Sequence, residues 1–230
     1  MSLFWGDPSP YVEQVHAAGA LLLHTVGSAE EAKRAADAGV DVVVAQGLEA
    51  GGHVWGRIGT LALVPSVVDA IAPVPVIAAG GIGDGRGVAA VLALGAQGAW
   101  VGTRFLMSAE APVHERYRER LIDADETDAL WFADLFDGGW PDAPHRALRN
   151  STIDAWEAAG RPATGSRPGE GDQVATRLNG SVIPRYASAT PIEGMQGDID
   201  AMSLWAGQSV ALARRVEPAA DIVAELVSRL

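Results

Sequence analysis

The chain has 230 residues, of which 48% are hydrophobic, so it can form a packed core and is not broadly disordered. Its formal net charge of −12 disfavours nucleic acid and anionic membranes as partners, and the lack of cysteine excludes disulfides and thiolate chemistry. It has neither an apolar run long enough to cross a bilayer nor the pattern of a secretion signal. These features predict a cytoplasmic protein, and the Arg-, Ala- and Gly-rich composition indicates a bacterial source.

The first hundred residues alternate short aliphatic strands with helices. The predicted strands are Ala20–Val26, Val40–Gln46, Val74–Ala79 and Ala99–Phe105, and the predicted helices are Ala29–Ala38, Leu61–Ile71 and Arg86–Leu94. Ser28 is a candidate N-cap, with Glu31 as its capping-box partner. Strands separated by single helices predict right-handed βαβ units in a parallel sheet. The regular spacing, with polar and Gly-rich positions at strand C-termini, favours a TIM barrel over a doubly wound sheet.

The remaining sequence is less regular. Pro112–Ile122 is predicted to be an exposed, charged helix, and residues 123–190 are rich in loops. Leu204–Leu230 is predicted to form two helices separated near Pro218. We therefore divide the chain into a βα segment at 1–108, a helical and loop-rich region at 109–203, and C-terminal helices at 204–230 that pack back on the first segment.

Two glycine-containing turns follow consecutive predicted strands. Gly80-Gly81 follows the third strand, and Gly102-Thr103 ends the fourth. Glycines let the backbone approach a ligand and direct N–H groups at it, and Thr103 adds a hydroxyl donor. If these are the last two strands of a barrel, this is the usual phosphate site of that fold. The alternative is that Gly80–Gly83 is only a tight βα turn.

Among the histidines, His53 alone lies in a Gly-rich loop at a strand C-terminus. A neutral imidazole there could accept a proton, although a surface or structural role is the alternative. His24, inside a predicted strand, is interpreted as a core residue with its hydrogen bonds satisfied. The other histidines are predicted on helices or loops, without a partner pattern: His16, His114 and His145.

No histidine spacing indicates a metal site, and no GxSxG motif supports a hydrolase. The tryptophans of the second half are interpreted as packing residues rather than as a platform for nucleotide stacking. They are Trp131, Trp140, Trp156 and Trp205.

Several motifs, in order, resemble those of the nitronate monooxygenase family. They are Gln46–His53 (QGLEAGGH), Pro75–Ile82 (PVIAAGGI), Gly85–Gly87 (GRG), Leu94–Ala96 (LGA) and Val101–Phe105 (VGTRF). The resemblance is most specific from about Phe4 to Phe105 and continues more loosely to Gly207–Ser209.

The resemblance implies an FMN-binding TIM barrel. It places Gln46 and Gly51 against the flavin, and it implies that His53 deprotonates the carbon beside a nitro group or orients the nitronate. The implied contacts to the FMN phosphate and its surroundings are Gly80, Gly81, Trp100, Val101, Gly102, Thr103 and Gln208. The implied reaction converts a nitronate or nitroalkane and O₂ to a carbonyl compound and nitrite, with flavin supplying the electron chemistry.

Family members begin with a βα segment that has no counterpart here. By the resemblance, residues 1–108 are the C-terminal half of an α/β (β/α)₈ barrel, strands five to eight, and Leu3–Asp7 is the tail of strand four. An open half-barrel has unpaired edges and an uncovered apolar face. We therefore expect a homo-oligomer that completes the barrel, a covering element from residues 109–230, or poor folding.

Two other functions stay open at this point. Flavin-dependent enoyl-acyl-carrier-protein reductases and related quinone reductases share the Gly-rich histidine loop and the GTRF sequence, and they use NAD(P)H. The second alternative is a non-catalytic remnant that binds FMN weakly or not at all.

Overall fold

The computed structural model describes all 230 residues, which form two compact units. The first unit comprises residues 1–50, 54–102 and 220–230, and the second comprises residues 51–53 and 103–219. These units group the chain differently from the three predicted segments, whose division remains a prediction.

A five-stranded parallel sheet forms the centre of the first unit. In spatial order its strands are β1 (Ser2–Phe4), β2 (Leu23–Val26), β3 (Val42–Gln46), β5 (Val76–Ala79) and β6 (Gly98–Trp100). The helices are α1 (Ser9–Ala17), α2 (Ala29–Asp37), α3 (Thr60–Ile71), α4 (Gly85–Ala93) and α7 (Ala219–Val227). All neighbouring strands are parallel, which confirms the predicted α/β fold with a parallel sheet.

Local capping explains where α2 begins. The Ser28 hydroxyl accepts the Glu31 N–H at 3.2 Å, which confirms the predicted N-cap. The Glu31 carboxylate accepts the N–H of Gly27 at 2.7 Å, one residue earlier than in the usual capping box. Both bonds satisfy donors at the junction of β2 and α2, so this βα turn is specified by nearby residues.

The predicted strand Ala99–Phe105 is wrong beyond Trp100. The chain leaves the sheet there, and Thr103–Met107 forms a 3₁₀ helix. The Thr103 hydroxyl accepts the Gly207 N–H at 3.0 Å, a contact between residues far apart in the sequence. The first of the two predicted C-terminal helices is likewise reduced to a 3₁₀ helix at Gln208–Leu212.

The second unit contains two small antiparallel sheets. One has the order β4 (Gly52–His53), β8 (His145–Leu148), β7 (Ala129–Phe132), and the other has the order β10 (Val182–Pro184), β9 (Gln173–Thr176), β11 (Gln196–Gly197). The unit also contains α5 (Glu115–Asp123), α6 (Ser151–Ala158) and a further 3₁₀ helix at Ile199–Ala201. None of the helices in the chain is both long and apolar enough to cross a membrane.

Candidate active site

The first unit gathers several predicted cofactor residues at one edge of its sheet. Strands β5 and β6 pair with Ala79 opposite Trp100, and β3 pairs with β5 with Gln46 opposite Ala79. Paired residues of parallel strands share a face, so Gln46 and Trp100 lie on the same side of the carboxyl edge. Trp100 is 46% exposed. The positions that the sheet brings to this edge are Gln46, Gly80, Gly81, Trp100, Val101 and Gly102.

The glycines of this edge differ in what surrounds them. Gly80 and Gly81 have φ values of +95° and +72°, which favour glycine. A Cβ at Gly80 would lie 2.8 Å from the Gly47 carbonyl oxygen, so close packing also requires glycine there. Gly102 is exposed, and a Cβ built on it would meet nothing within 4 Å. The backbone at Gly102 is therefore open to an approaching group.

Glu49 connects two turns of this edge, a role that was not predicted from the sequence. Its carboxylate oxygens accept the backbone N–H of Thr60, the first residue of α3, at 3.0 and 2.9 Å. The Thr60 hydroxyl lies 2.9 Å from both Glu49 Oε2 and the Gly80 carbonyl oxygen. These contacts link the loop after β3, the start of α3 and the turn after β5. The sequence signal for this role is an acidic residue in a Gly-rich loop shortly before a helix begins, because carboxylates bind the free N–H groups of a helix N-terminus.

In the second unit, three other predicted residues surround one backbone segment. A Cβ at Gly51 would lie 2.3 Å from the Gly207 nitrogen, so no larger residue fits without a backbone shift. Thr103 accepts the Gly207 N–H, and Gln208, which is exposed, starts the 3₁₀ helix that follows. Gly51 and Thr103 thus contact residues 206–207, and Gln208 follows directly in the chain. Gly80, Gly81 and Gly102 belong to the first unit, so their predicted convergence with Thr103 on one phosphate site remains a prediction.

His53 lies in an aromatic cluster of the second unit. Strand β4 pairs with β8, which sets His53 opposite His145. The ring of His53 lies 4.2 Å from that of Trp140, 5.4 Å from that of Trp205 and 6.1 Å from that of His145, measured between centroids. Burial lowers the pKa of His53 below its usual value, which favours the neutral imidazole that a general base requires.

His145 belongs to this cluster, and its predicted location on a helix or loop is wrong. It lies in β8 and is completely buried. Its Nε2 accepts the Phe136 N–H at 3.1 Å, and its Nδ1 lies 2.8 Å from the Ala143 carbonyl oxygen, so the proton is on Nδ1. Burial lowers the pKa of His145 to about 4. Since both nitrogens are engaged, His145 is a neutral structural residue beside His53.

His24 does not match its interpretation as a fully bonded core residue. It lies in β2 and is 4% exposed, but its Nδ1 has no hydrogen-bond partner. His24 lines a cavity of about 650 Å³ in the first unit, together with Trp5, Asp7, Glu31, Trp55 and neighbouring residues. Burial lowers the pKa of His24, although the nearby carboxylates of Glu31 and Asp7 favour its charged form.

A family model described as nitronate monooxygenase matches residues 1–229. The chain belongs to this family. A Staphylococcus aureus (strain Newman) protein named "Probable nitronate monooxygenase" is 34% identical over 240 residues, which cover 98% of this chain and 61% of that protein. The chain therefore spans about three fifths of the length of this curated relative, and two other relatives are covered to 56% and 57%.

Two solved structures resemble this member of the nitronate monooxygenase family. FabK from Thermotoga maritima has a TM-score of 0.74 and 30% sequence identity, and the match covers 99% of this chain and 66% of that chain. Nitroalkane oxidase from Streptomyces ansochromogenes has a TM-score of 0.73 and 30% identity, with coverage of 100% and 63%. Both likenesses extend over the full length of this chain, so they include the second unit as well as the parallel sheet.

The partners of His53 could not be recognised from the sequence. Trp140, His145 and Trp205 reach it from distant positions, and no local spacing links them to the Gly-rich loop. Their contacts depend on the two-residue strand β4, which is too short to give an alternating apolar pattern.

Proposed function

We propose that this chain carries the C-terminal half of a (β/α)₈ barrel that binds FMN and oxidises alkyl nitronates or nitroalkanes to a carbonyl compound and nitrite with O₂. The observation that carries the proposal is the environment of His53. By the resemblance of the motif Gln46–His53, this histidine corresponds to the family's catalytic histidine, and burial among aromatic rings favours its neutral form. Membership of the family supports the reaction class.

The glycine edge of the first unit fits the phosphate of FMN. Gly102 offers exposed backbone with open space, and Gly81 is exposed in a conformation that glycine favours. Backbone N–H groups in such turns bind phosphate oxygens. In the second unit, Thr103 uses its hydroxyl oxygen as an acceptor, which leaves the O–H hydrogen to donate to an anion. When bound, the flavin would supply the electron transfer that protein side chains cannot.

His53 acts on the proton of the substrate. With its pKa lowered, the imidazole is ready to remove the proton from the carbon beside the nitro group of a neutral nitroalkane. A nitronate has already lost that proton, so His53 would only orient it. No buried carboxylate is required for this step, because the histidine itself is the base.

The five-stranded sheet supports the half-barrel part of the proposal. Strands β1 and β6 are its two edges, and each has a neighbour on one side only. Closing a barrel pairs both edges with further strands. We propose that these strands come from a longer form of the protein or from a second copy of this chain.

The likeness to FabK supports a second candidate, a flavin-dependent NAD(P)H reductase of enoyl-acyl-carrier protein or quinone substrates. The two candidates differ in the source of electrons. Anaerobic bleaching of bound flavin by NAD(P)H, without bleaching by a nitronate, would favour the reductase. The reverse pattern would favour the oxidation of nitronates.

The cofactor proposal is tested by FMN titration of the Gly102→Val variant. The valine side chain would fill the open space, so we expect FMN affinity to fall by about tenfold or more, because a displaced phosphate loses its charge-assisted bonds. Flavin fluorescence quenching measures the affinity. Gly98→Ala, in the same strand–turn segment, is the control, since its Cβ would make only an ordinary 3.9 Å contact with Ile77. Equal FMN affinity in the wild type and both variants would place the phosphate elsewhere.

The base is tested by His53→Asn in protein that has bound FMN. General-base catalysis contributes about 10²–10⁴-fold, so turnover of neutral nitroalkanes should fall by that order, and turnover of pre-formed nitronates should fall much less. Oxygen consumption measures both rates. Equal slowing would mean that His53 positions the anion or the flavin, and unchanged rates would reject its catalytic role.

A further inference from the structure

The ring of His53 contacts two indole rings that differ in their environment. The Trp140 ring is the nearer, with centroids 4.2 Å apart and planes inclined by 39°. The Trp205 ring lies 5.4 Å away, at 42°. Trp140 is 41% exposed, whereas Trp205 is half-buried.

Trp205 forms the fixed side of this arrangement. Its ring also packs edge-on against His145 and Phe136, with centroids 5.2 and 5.9 Å apart. Its backbone carbonyl accepts the hydroxyl of Tyr117, which is completely buried. A residue held on its ring and on its backbone cannot move without disturbing the core of the second unit.

Trp140 lies at the surface of a well-anchored loop between β7 and β8. Its backbone N–H donates to the Asp137 carbonyl at 2.9 Å. Asp137 is buried, and its carboxylate accepts from Arg167 Nη1 at 2.7 Å and from the Thr164 hydroxyl at 3.0 Å. The loop base is therefore fixed, while the exposed part of the indole lies where a ligand or solvent can reach it.

We infer that Trp140 is a positioning residue that covers the imidazole of His53 and offers its exposed face to the substrate. The inference rests on the proposed function, because it assigns Trp140 a role beside the proposed base. The indole restricts the imidazole to one orientation and limits the access of water, and it provides an apolar surface for an alkyl group of the substrate.

Chemical modification of the chain as it stands tests the cover without any turnover. Diethyl pyrocarbonate acylates accessible neutral imidazoles, and mass spectrometry of peptides reports the rate at His53. We expect Trp140→Ala to raise this rate by about tenfold and Trp140→Phe to raise it much less, because a phenyl ring still covers the imidazole. Trp156→Ala is the control, since Trp156 packs on Phe132 and Arg161 and donates to the Pro162 carbonyl, away from His53.

Turnover with bound FMN tests the second half of the inference. Trp140→Ala should raise KM for nitroalkanes with longer alkyl chains more than for nitroethane, and Trp140→Phe should restore most of the difference. An unchanged modification rate at His53 in Trp140→Ala would reject the cover, and an equal change in KM for short and long substrates would reject the substrate contact. If His53 is modified at the expected rates in the wild type and the variants, but the wild type turns over no nitro compound, the proposed function is wrong and the inference that Trp140 covers His53 is still supported.

Discussion

Each of the two units buries one histidine, and the two environments are opposite. His145, in β8 of the second unit, has one backbone group for each ring nitrogen, so a single neutral tautomer fits the site. His24, in β2 of the first unit, is 4% exposed, but its Nδ1 has no partner and it borders a cavity. Burying a polar atom costs free energy unless a hydrogen bond replaces the one lost to water. Two backbone hydrogen bonds therefore fix the ring orientation and tautomer of His145, whereas His24 has a buried nitrogen without a hydrogen bond.

The largest expected difference is a loss of stability of the second unit in acid. The pKa of His145 is about 4 in the folded chain and about 6.5 when unfolded. A lowered histidine pKa means that the unfolded state binds the proton first. The stabilisation is therefore complete above about pH 6.5 and is lost as pH falls towards 4, with a total of about 3 kcal/mol.

Amide hydrogen exchange in urea, read by mass spectrometry, would measure the two units separately at pH 7 and pH 4.5. His145→Leu should be less stable at pH 7, because the Phe136 N–H and the Ala143 carbonyl lose their partner, and its second unit should show a much weaker dependence on pH. His16→Leu is a control at an exposed histidine. A second unit whose stability is constant from pH 6.5 to 4.5 would contradict the fixed neutral tautomer.

A smaller effect of opposite sign is expected in the first unit. The buried ring of His24 has an unsatisfied nitrogen, and His24→Leu puts an apolar side chain in its place. The free energy of unfolding of the first unit should therefore rise by about 1 kcal/mol at pH 7. The same exchange measurement reports the gain relative to the wild type. A loss of more than about 1 kcal/mol would mean that Nδ1 has a bound partner in solution, such as a water or a ligand in the adjoining cavity.

The first unit was largely predictable because its signals are local. Ser28 and Glu31 cap α2 from within four residues, and the aliphatic runs of β2, β3 and β5 match the predicted strands to within a few residues. The same logic predicted the glycine edge, since polar and glycine positions at strand ends meet at one edge of a parallel sheet. The failure at Thr103, where a helical turn replaces the predicted strand, involves a contact with distant Gly207.

In the second unit, the predicted helix Pro112–Ile122 matches α5 (Glu115–Asp123), but the surroundings of His53 were not predictable, because they depend on contacts between distant positions. The sequence predicts His145 on a helix or loop, and only the pairing of β4 with β8 makes it a neighbour of His53. Trp140 and Trp205 have no spacing that relates them to the Gly-rich loop. The strands of the second unit pair antiparallel, and β4 pairs with β8 from a distant position, so their pairing is decided by tertiary packing.

The path of the chain also constrains how such a protein can be recombined. The backbone passes between the two units after Ala50, His53, Gly102 and Ala219, so residues 51–53 are a short excursion from the first unit into the second. A contiguous gene segment that encodes residues 103–219 would carry most of the second unit but not His53. The same gene segment therefore encodes the proposed base and the strands of the parallel sheet, whereas a separate segment encodes the aromatic residues around the base. Recombination of either segment alone between relatives would combine the histidine of one protein with the surrounding aromatic residues of another.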